Sequence, residues 1–178
     1  MQLSESNLLF KALTFAAYKH RYQSRKGSKP IPYINHPIAV ADVLVNVGHV
    51  GDVETIVAAL LHDTVEDTET TLVEIEQEFG AIVAAVVAEV SDDKSLPKKE
   101  RKRLQAEHAP TLSSRARLVK FADKICNLRD IVDDPPDGWS LQRKQEYFDW
   151  AKEVVDKIRD ANAELGRAFD AAFSKRPA

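Results

Sequence analysis

Cys126 is the only cysteine in 178 residues. An internal disulfide is therefore impossible, a thiolate-based zinc site is excluded, and a reducing compartment is the expectation. Long apolar runs are missing too. The hydrophobic stretches are short and interrupted by charge, so none is expected to span a bilayer. No basic segment precedes the first apolar residues, where Glu5 stands, so no secretory signal is read and a cytoplasmic location is expected by default. The formal net charge is only −3, which leaves no global field for nucleic acid or membrane partners. There is no internal repeat and no low-complexity tract. No linker is long enough to divide the chain, so one domain is expected over residues 1–178.

What the chain does contain is helical periodicity almost throughout, and the expected class is all-α. Leu8, Ala12, Phe15 and Ala16 share one face of a first helix. Pro37 is expected to start a second, with Ile38, Ala41 and Val45 on its inner face and Gly48 as its stop. Asp52 fits the N-cap of a third helix that reaches about His62. Thr71 to Glu74 fits a capping box opening a fourth, which ends near Gly80. Residues 81–90, rich in Ala and Val, are expected to be a buried helix. Pro97 opens a charged helix to about His108, and Ser113 or Ser114 caps a long one through Leu128. A Pro- and Asp-rich loop follows at 133–138. Ser140 begins a helix with Phe148, Ala151, Val155 and Ile158 on one face, and Leu165, Phe169, Ala172 and Phe173 continue the pattern. The segment 24–35, with Gly27, Pro30 and Pro32, is the place for irregular or short extended structure.

Against this background the run His62-Asp63-Thr64-Val65-Glu66-Asp67 stands out. It follows Ala58-Ala59-Leu60-Leu61 directly and packs an imidazole, three carboxylates and a hydroxyl into six residues. A carboxylate at the end of an apolar helix is costly unless it is paired or holds a metal. Adjacent helical side chains diverge by about 100°. His62 and Asp63 therefore share an ion only if the helix ends there or the ion lies between helices. Further ligands must come from elsewhere, and His36 (before Pro37) and Asp123 (among core-type residues) are the candidates. Two imidazoles and two carboxylates suit Mn, Fe, Zn or Mg. His20, His49 and His108 lack such company and read as structural.

These residues resemble a known family. The order His36, His62-Asp63, Asp123 is similar to the four-ligand signature of HD-domain metal-dependent phosphohydrolases. Tyr33-Ile34-Asn35-His36-Pro37, Ala59 to Thr68, and Val119 to Arg129 resemble the hydrolase domain of RelA/SpoT-type proteins. So do Asp92 to Lys98 and Gly138-Trp139-Ser140. The likeness is closest to stand-alone small alarmone hydrolases, which lack synthetase and regulatory domains. The resemblance implies an HD-domain helical bundle, one bound Mn²⁺, and hydrolysis of guanosine 3′,5′-bis(diphosphate), ppGpp, to GDP and pyrophosphate. It assigns His36, His62, Asp63 and Asp123 to the metal, Glu66 and Asp67 to catalysis, and Arg25, Lys26 and Asn127 to the nucleotide's neighbourhood.

A polyanionic nucleotide needs local cations, and the chain supplies them. Lys19, Arg21, Arg25, Lys26 and Lys29 come with no acid between them. Lys98 and Arg101 or Arg103 are expected at phosphates. Arg143 and Tyr147, spaced i, i+4, are expected to hold a terminal phosphate together. Tyr33 is the aromatic near the pocket. Guanine over adenine is inherited from the resemblance only. The adenosine analogue of the alarmone and the 2′-phosphate of NADPH stand as alternatives, and a non-catalytic nucleotide sensor as a third reading. Oligomeric state is not legible.

Overall fold

The computed structural model describes residues 4–178; residues 1–3 lie outside them. The architecture is all-α. Helix α1 spans Glu5–Lys19, α2 Asn35–Asp42, α3 Val53–Leu61 and α4 a single turn, Thr64–Asp67. Then come α5 at Leu72–Phe79, α6 at Ala81–Val90, α7 at Lys98–His108 and α8 at Ser114–Asp133. Helices α9 at Leu141–Asp156 and α10 at Ala163–Phe173 complete the chain. Among the described residues, extended pairing is confined to one antiparallel bridge, Ser24 with Pro32. It lies in the segment 24–35, whose last residue already belongs to α2. Among the described residues no helix is long and apolar enough to cross a membrane.

Helix starts follow the caps. Asp52, Thr71, Ser113 and Ser140 each accept an amide from the first turn of α3, α5, α8 and α9. The capping box at Thr71 is only half made. Glu74 donates its amide to Thr71, but its carboxylate turns away to Lys19 of α1, 2.8 Å off. Asn162 caps α10 after a 3₁₀ turn at Arg159–Ala161. The apolar periodicity runs across that break without a Gly or Pro to mark it.

The core is organised on α8. From Val119 to Cys126 every residue is buried, and Leu128 and Ile131 extend the stripe. Around it pack α2, α3, α6, α9 and α10. A helix buried on all sides must bury its polar residues as well. Lys120 and Lys124 are 7% and 3% exposed. Lys120 donates to Val90 O at 2.8 Å, a carbonyl at the C-terminal end of α6, where the helix dipole favours a cation.

The second helix differs from its expected face. Val40, Ala41, Val43 and Leu44 are buried, whereas Ile38 and Val45 are 42% and 40% exposed. The sequence is apolar around much of the circumference here, so periodicity offers two faces and only packing chooses. Helix α2 also continues as a π-helical turn, Val43–Val47, that shifts the phase. Gly48 ends it with φ −79, so left-handed backbone is not its role. Closeness is: a Cβ there would lie 3.0 Å from Leu44 O and 3.1 Å from a Leu165 methyl.

Candidate active site

The end of α3 explains how neighbouring residues reach one point. Thr64 Oγ1 donates to Leu61 O at 2.7 Å, which closes α3 and starts α4. The chain turns between His62 and Asp63, and His62 Nε2 comes to 3.0 Å from Asp63 Oδ2. His36 arrives from the first turn of α2, with Nε2 3.2 Å from Asp123 Oδ1 and 3.7 Å from Asp63 Oδ2. Asp123 projects from the middle of α8 and lies 3.8 Å from His62 Nε2. His36, His62 and Asp123 are buried, and each offers one ligand atom within 4.8 Å of the others.

These side chains are held from behind. His62 Nδ1 lies 2.8 Å from Ala59 O and donates to it, which leaves Nε2 to meet a second proton or a cation. Nε2 is buried and makes no well-aligned hydrogen bond, although Asp63 Oδ2 is 3.0 Å away. Asp123 accepts Asn127 Nδ2 at 2.6 Å and Lys124 Nζ at 3.1 Å. Asp63 Oδ2 accepts the Tyr33 hydroxyl at 2.6 Å. Burial pushes the His62 imidazole down, but Asp63 and Asp123 outweigh it and raise it to about 10. Burial pushes the Asp63 carboxyl up, and His62 and His36 bring it well below the usual range. This is a focus of negative potential that favours a positive charge. A divalent cation would displace the proton that these carboxylates hold on His62; both imidazoles are then neutral, and the two carboxylates carry −2 formally, which matches its charge. The donor set fits a hard or borderline metal.

Glu66 and Asp67 sit on α4, one turn beyond. Glu66 Oε2 accepts the Asp92 amide at 3.1 Å. Burial, with Asp92, Asp63 and Asp67 nearby, raises the Glu66 carboxyl above the ordinary glutamate value, against the lowering effect of the Asp92 amide. Asp67 pairs with Lys94 and accepts Gln23 Nε2 at 3.3 Å.

Both carboxylates line a cavity of about 790 Å³, together with His36. Of the residues expected on the nucleotide, Arg25, Lys26, Tyr33, Lys98, Asn127 and Tyr147 line it as well. Arg101 and Arg143 do not. Arg101 stands against Glu66, and Arg143 lies over the Trp139 ring, 4.4 Å from its centroid. Arg103 is exposed and tied to Glu100 and Glu107 on its own helix. Burial lifts the Tyr147 hydroxyl to about 12. Burial, helped by Arg143, Lys26 and Arg101, lowers the Lys98 ammonium, the mark of a cationic corner that lacks anions.

The cavity's outer wall is the segment 24–31, strapped to the end of α8. Arg25 Nη2 donates to Asp130 Oδ2 at 2.6 Å and to Asn127 Oδ1 at 3.0 Å. Ser28 N–H and Oγ both donate to Asp134 Oδ1. Gly27 lies so close that a Cβ would sit 2.1 Å from Asp134 Oδ2. Gly27→Ala is therefore expected to turn the Asp134 carboxylate aside and release Ser28, at a cost of about 0.5–1.5 kcal/mol for a lost hydrogen bond. Thermal unfolding checks it; an unchanged Tm would show that the strap yields freely.

Several site residues carry no signal in spacing. Lys94, Gln23 and Asp130 are ordinary surface types in the sequence, and only the fold brings them to Asp67 and Arg25. His20, read as structural, is buried against Tyr33, with ring centroids 4.8 Å apart. Lys124 is the i+1 neighbour of the residue it neutralises.

Residues 12–149 match the model of the HD domain. A guanosine-3′,5′-bis(diphosphate) 3′-pyrophosphohydrolase of Danio rerio is 53% identical over 99% of this chain and 98% of its own. The enzyme of the same name from Drosophila melanogaster is 48% identical over 92% of each. A solved structure of a metazoan ortholog of SpoT, described as hydrolysing ppGpp and playing a role in starvation responses, superposes with a TM-score of 0.93. It is 45% identical, over 99% of this chain and 98% of that one. The chain belongs to the HD-domain family and, within it, to the family of these 3′-pyrophosphohydrolases.

Proposed function

We propose that this protein hydrolyses guanosine 3′,5′-bis(diphosphate) to GDP and pyrophosphate, with His36, His62, Asp63 and Asp123 holding one divalent cation, Mn²⁺. The observation that carries the reading is the buried His/Asp cluster opening beside a carboxylate pair in one cavity. When bound, the cation supplies Lewis-acid polarisation of phosphoryl oxygens and acidifies water. The protein's own residues supply the rest. Glu66, held by the Asp92 amide, accepts the proton of the attacking water. The new P–O bond forms at the phosphorus on the 3′-oxygen, and the bond to that oxygen breaks. Water ordered by Asp67 and the Lys94 ammonium paired with it delivers the proton the 3′-oxygen needs. Lys26 and Lys98 on the cavity wall offset charge on the phosphoryl oxygens. Ile31 and Ile131 give the same wall an apolar patch for a base.

The test is product analysis. Mn²⁺-loaded protein is incubated with ppGpp, its adenosine analogue and NADPH. GDP and pyrophosphate from ppGpp, at the highest kcat/KM of the three, are expected. No turnover of ppGpp by metal-loaded protein would sink the proposal, and faster release of phosphate from NADPH would move the substrate.

Tyr33 gives a finer check. Its hydroxyl holds Asp63 while its ring packs on His20 and under Arg25. Tyr33→Phe keeps the ring and removes the hydrogen bond. Outer partners of metal ligands are worth about 10–100-fold in affinity or activity, and a loss of that size in Mn²⁺ affinity by titration calorimetry is expected.

A further inference from the structure

Glu66 is held by groups that never meet the nucleotide cavity. Its Oε2 accepts the Asp92 amide, and its Oε1 lies 3.6 Å from Arg101 Nη1. Arg101 and Asp92 line a second cavity of about 220 Å³, shared with Gln105 and the buried Lys120. Glu66 lines the first cavity and these two residues the second, so the contact between them is the partition.

The partition is itself braced. Gln105 follows Arg101 by one turn of α7 and donates Nε2 to both oxygens of Asp92, at 2.8 and 2.7 Å. Asp92 Oδ2 lies 3.9 Å from Arg101 Nη1. Glu66, Asp92, Gln105 and Arg101 thus close a ring. One segment, the loop after α6, supplies an amide to Glu66 and an anion to the helix that carries its cation. Around Glu66 stand Asp63, Asp67 and Asp92, all of like charge. Lys94, 3.8 Å away, is committed to Asp67. Arg101 is left as the cation that keeps the Glu66 carboxylate turned inward against that repulsion.

We propose that Arg101 and Asp92 are positioning residues for Glu66, locked together by Gln105, and that Arg101 is not a phosphate ligand. The inference rests on the proposed hydrolysis. It is the opposite of what the basic run on α7 leads one to expect. A carboxylate that must meet a water within hydrogen-bond distance is sensitive to small displacements.

The experiment is a double-mutant cycle on the Mn²⁺-loaded protein. Arg101→Met is expected to lower kcat for ppGpp by about 10–100-fold while leaving its KM and Kd unchanged. Arg101→Lys should recover part of the loss, and Gln105→Leu should give a smaller loss of the same kind. In a Glu66→Gln background Arg101→Met should add nothing further, because its effect passes through Glu66. A raised KM with kcat intact would make Arg101 a phosphate ligand and overturn the inference. So would an unchanged kcat, or full additivity with Glu66→Gln. Should Arg101→Met fail to fold, Gln105→Leu and Arg101→Lys carry the cycle. Crystal structures of wild type and Arg101→Lys give a reading independent of turnover: a shifted Glu66 supports the inference and an unmoved one overturns it. An inactive wild type would sink the proposed hydrolysis alone, and the crystal structures would still decide the role of Arg101.

Discussion

Asp123→Asn is expected to abolish turnover of ppGpp, with a loss well beyond the roughly 10–100-fold attached to outer-sphere partners of a metal. Asp123, like Asp63, lies within reach of both imidazoles, 3.2 Å from His36 Nε2 and 3.8 Å from His62 Nε2. The amide keeps the shape of the side chain and its hydrogen bond to Asn127, but it removes one of the two negative charges that attract the cation. Asp123→Ala should do further damage. Lys124 is 3% exposed, and among the described residues its only carboxylate partner is Asp123 at 3.1 Å. Breaking a buried pair by removing one member costs about 3–5 kcal/mol, because the other charge stays behind. The alanine variant should therefore unfold at a temperature lower by on the order of 10 °C. Mn²⁺ binding by calorimetry and thermal unfolding separate the two effects. An asparagine variant that binds Mn²⁺ as the wild type does would remove Asp123 from the ligand set.

Glu66→Gln is expected to lower kcat by about 10²–10⁴-fold, the usual weight of a positioned general base, with ppGpp binding retained. The substitution keeps the oxygen that accepts the Asp92 amide and loses proton affinity. The pH profile gives a second readout. The charged form is the active one, so log kcat/KM rises with pH as Glu66 deprotonates. Because burial raises the Glu66 carboxyl, the acidic limb belongs above the ordinary glutamate value, and activity falls as pH drops through it. In Glu66→Gln that limb should be gone. A variant that retains full kcat, or the same limb, would pass the proton role to Asp67.

Much of this site is legible before any coordinates. Asp52, Thr71, Ser113 and Ser140 mark helix starts because a cap is a local interaction, satisfied within three residues. Gly80 and the loop at 133–138 mark stops for similar reasons. The gathering of His36, His62, Asp63 and Asp123 is a different matter. Residue chemistry nominated His36 and Asp123 as partners for His62 and Asp63, the resemblance assigned all four to one metal, and nothing in their spacing brings them together. Where local chemistry is ambiguous the sequence misleads. Ile38 and Val45 fit a helical face as well as Val40 and Leu44, and only packing against α8 and α10 distinguishes them. The break at 157–162 carries no Gly or Pro, so the periodicity runs through it.

The charged residues show the division most sharply. By itself the sequence determined the all-α class, most helix ends and the kinds of side chain available for a metal, because these follow from periodicity, capping and functional-group chemistry along a short stretch of chain. Which partner each charge takes was decided by the tertiary structure. Arg101 was free to reach for phosphate until α7 set it beside Glu66. Lys124 was a surface residue by type until α8 became the centre of the core. Arg25 reached Asp130, and Lys94 reached Asp67, across chain separations no local pattern spans. An ion pair depends on distances of a few ångströms between distant segments, and those distances exist only once the helices have packed.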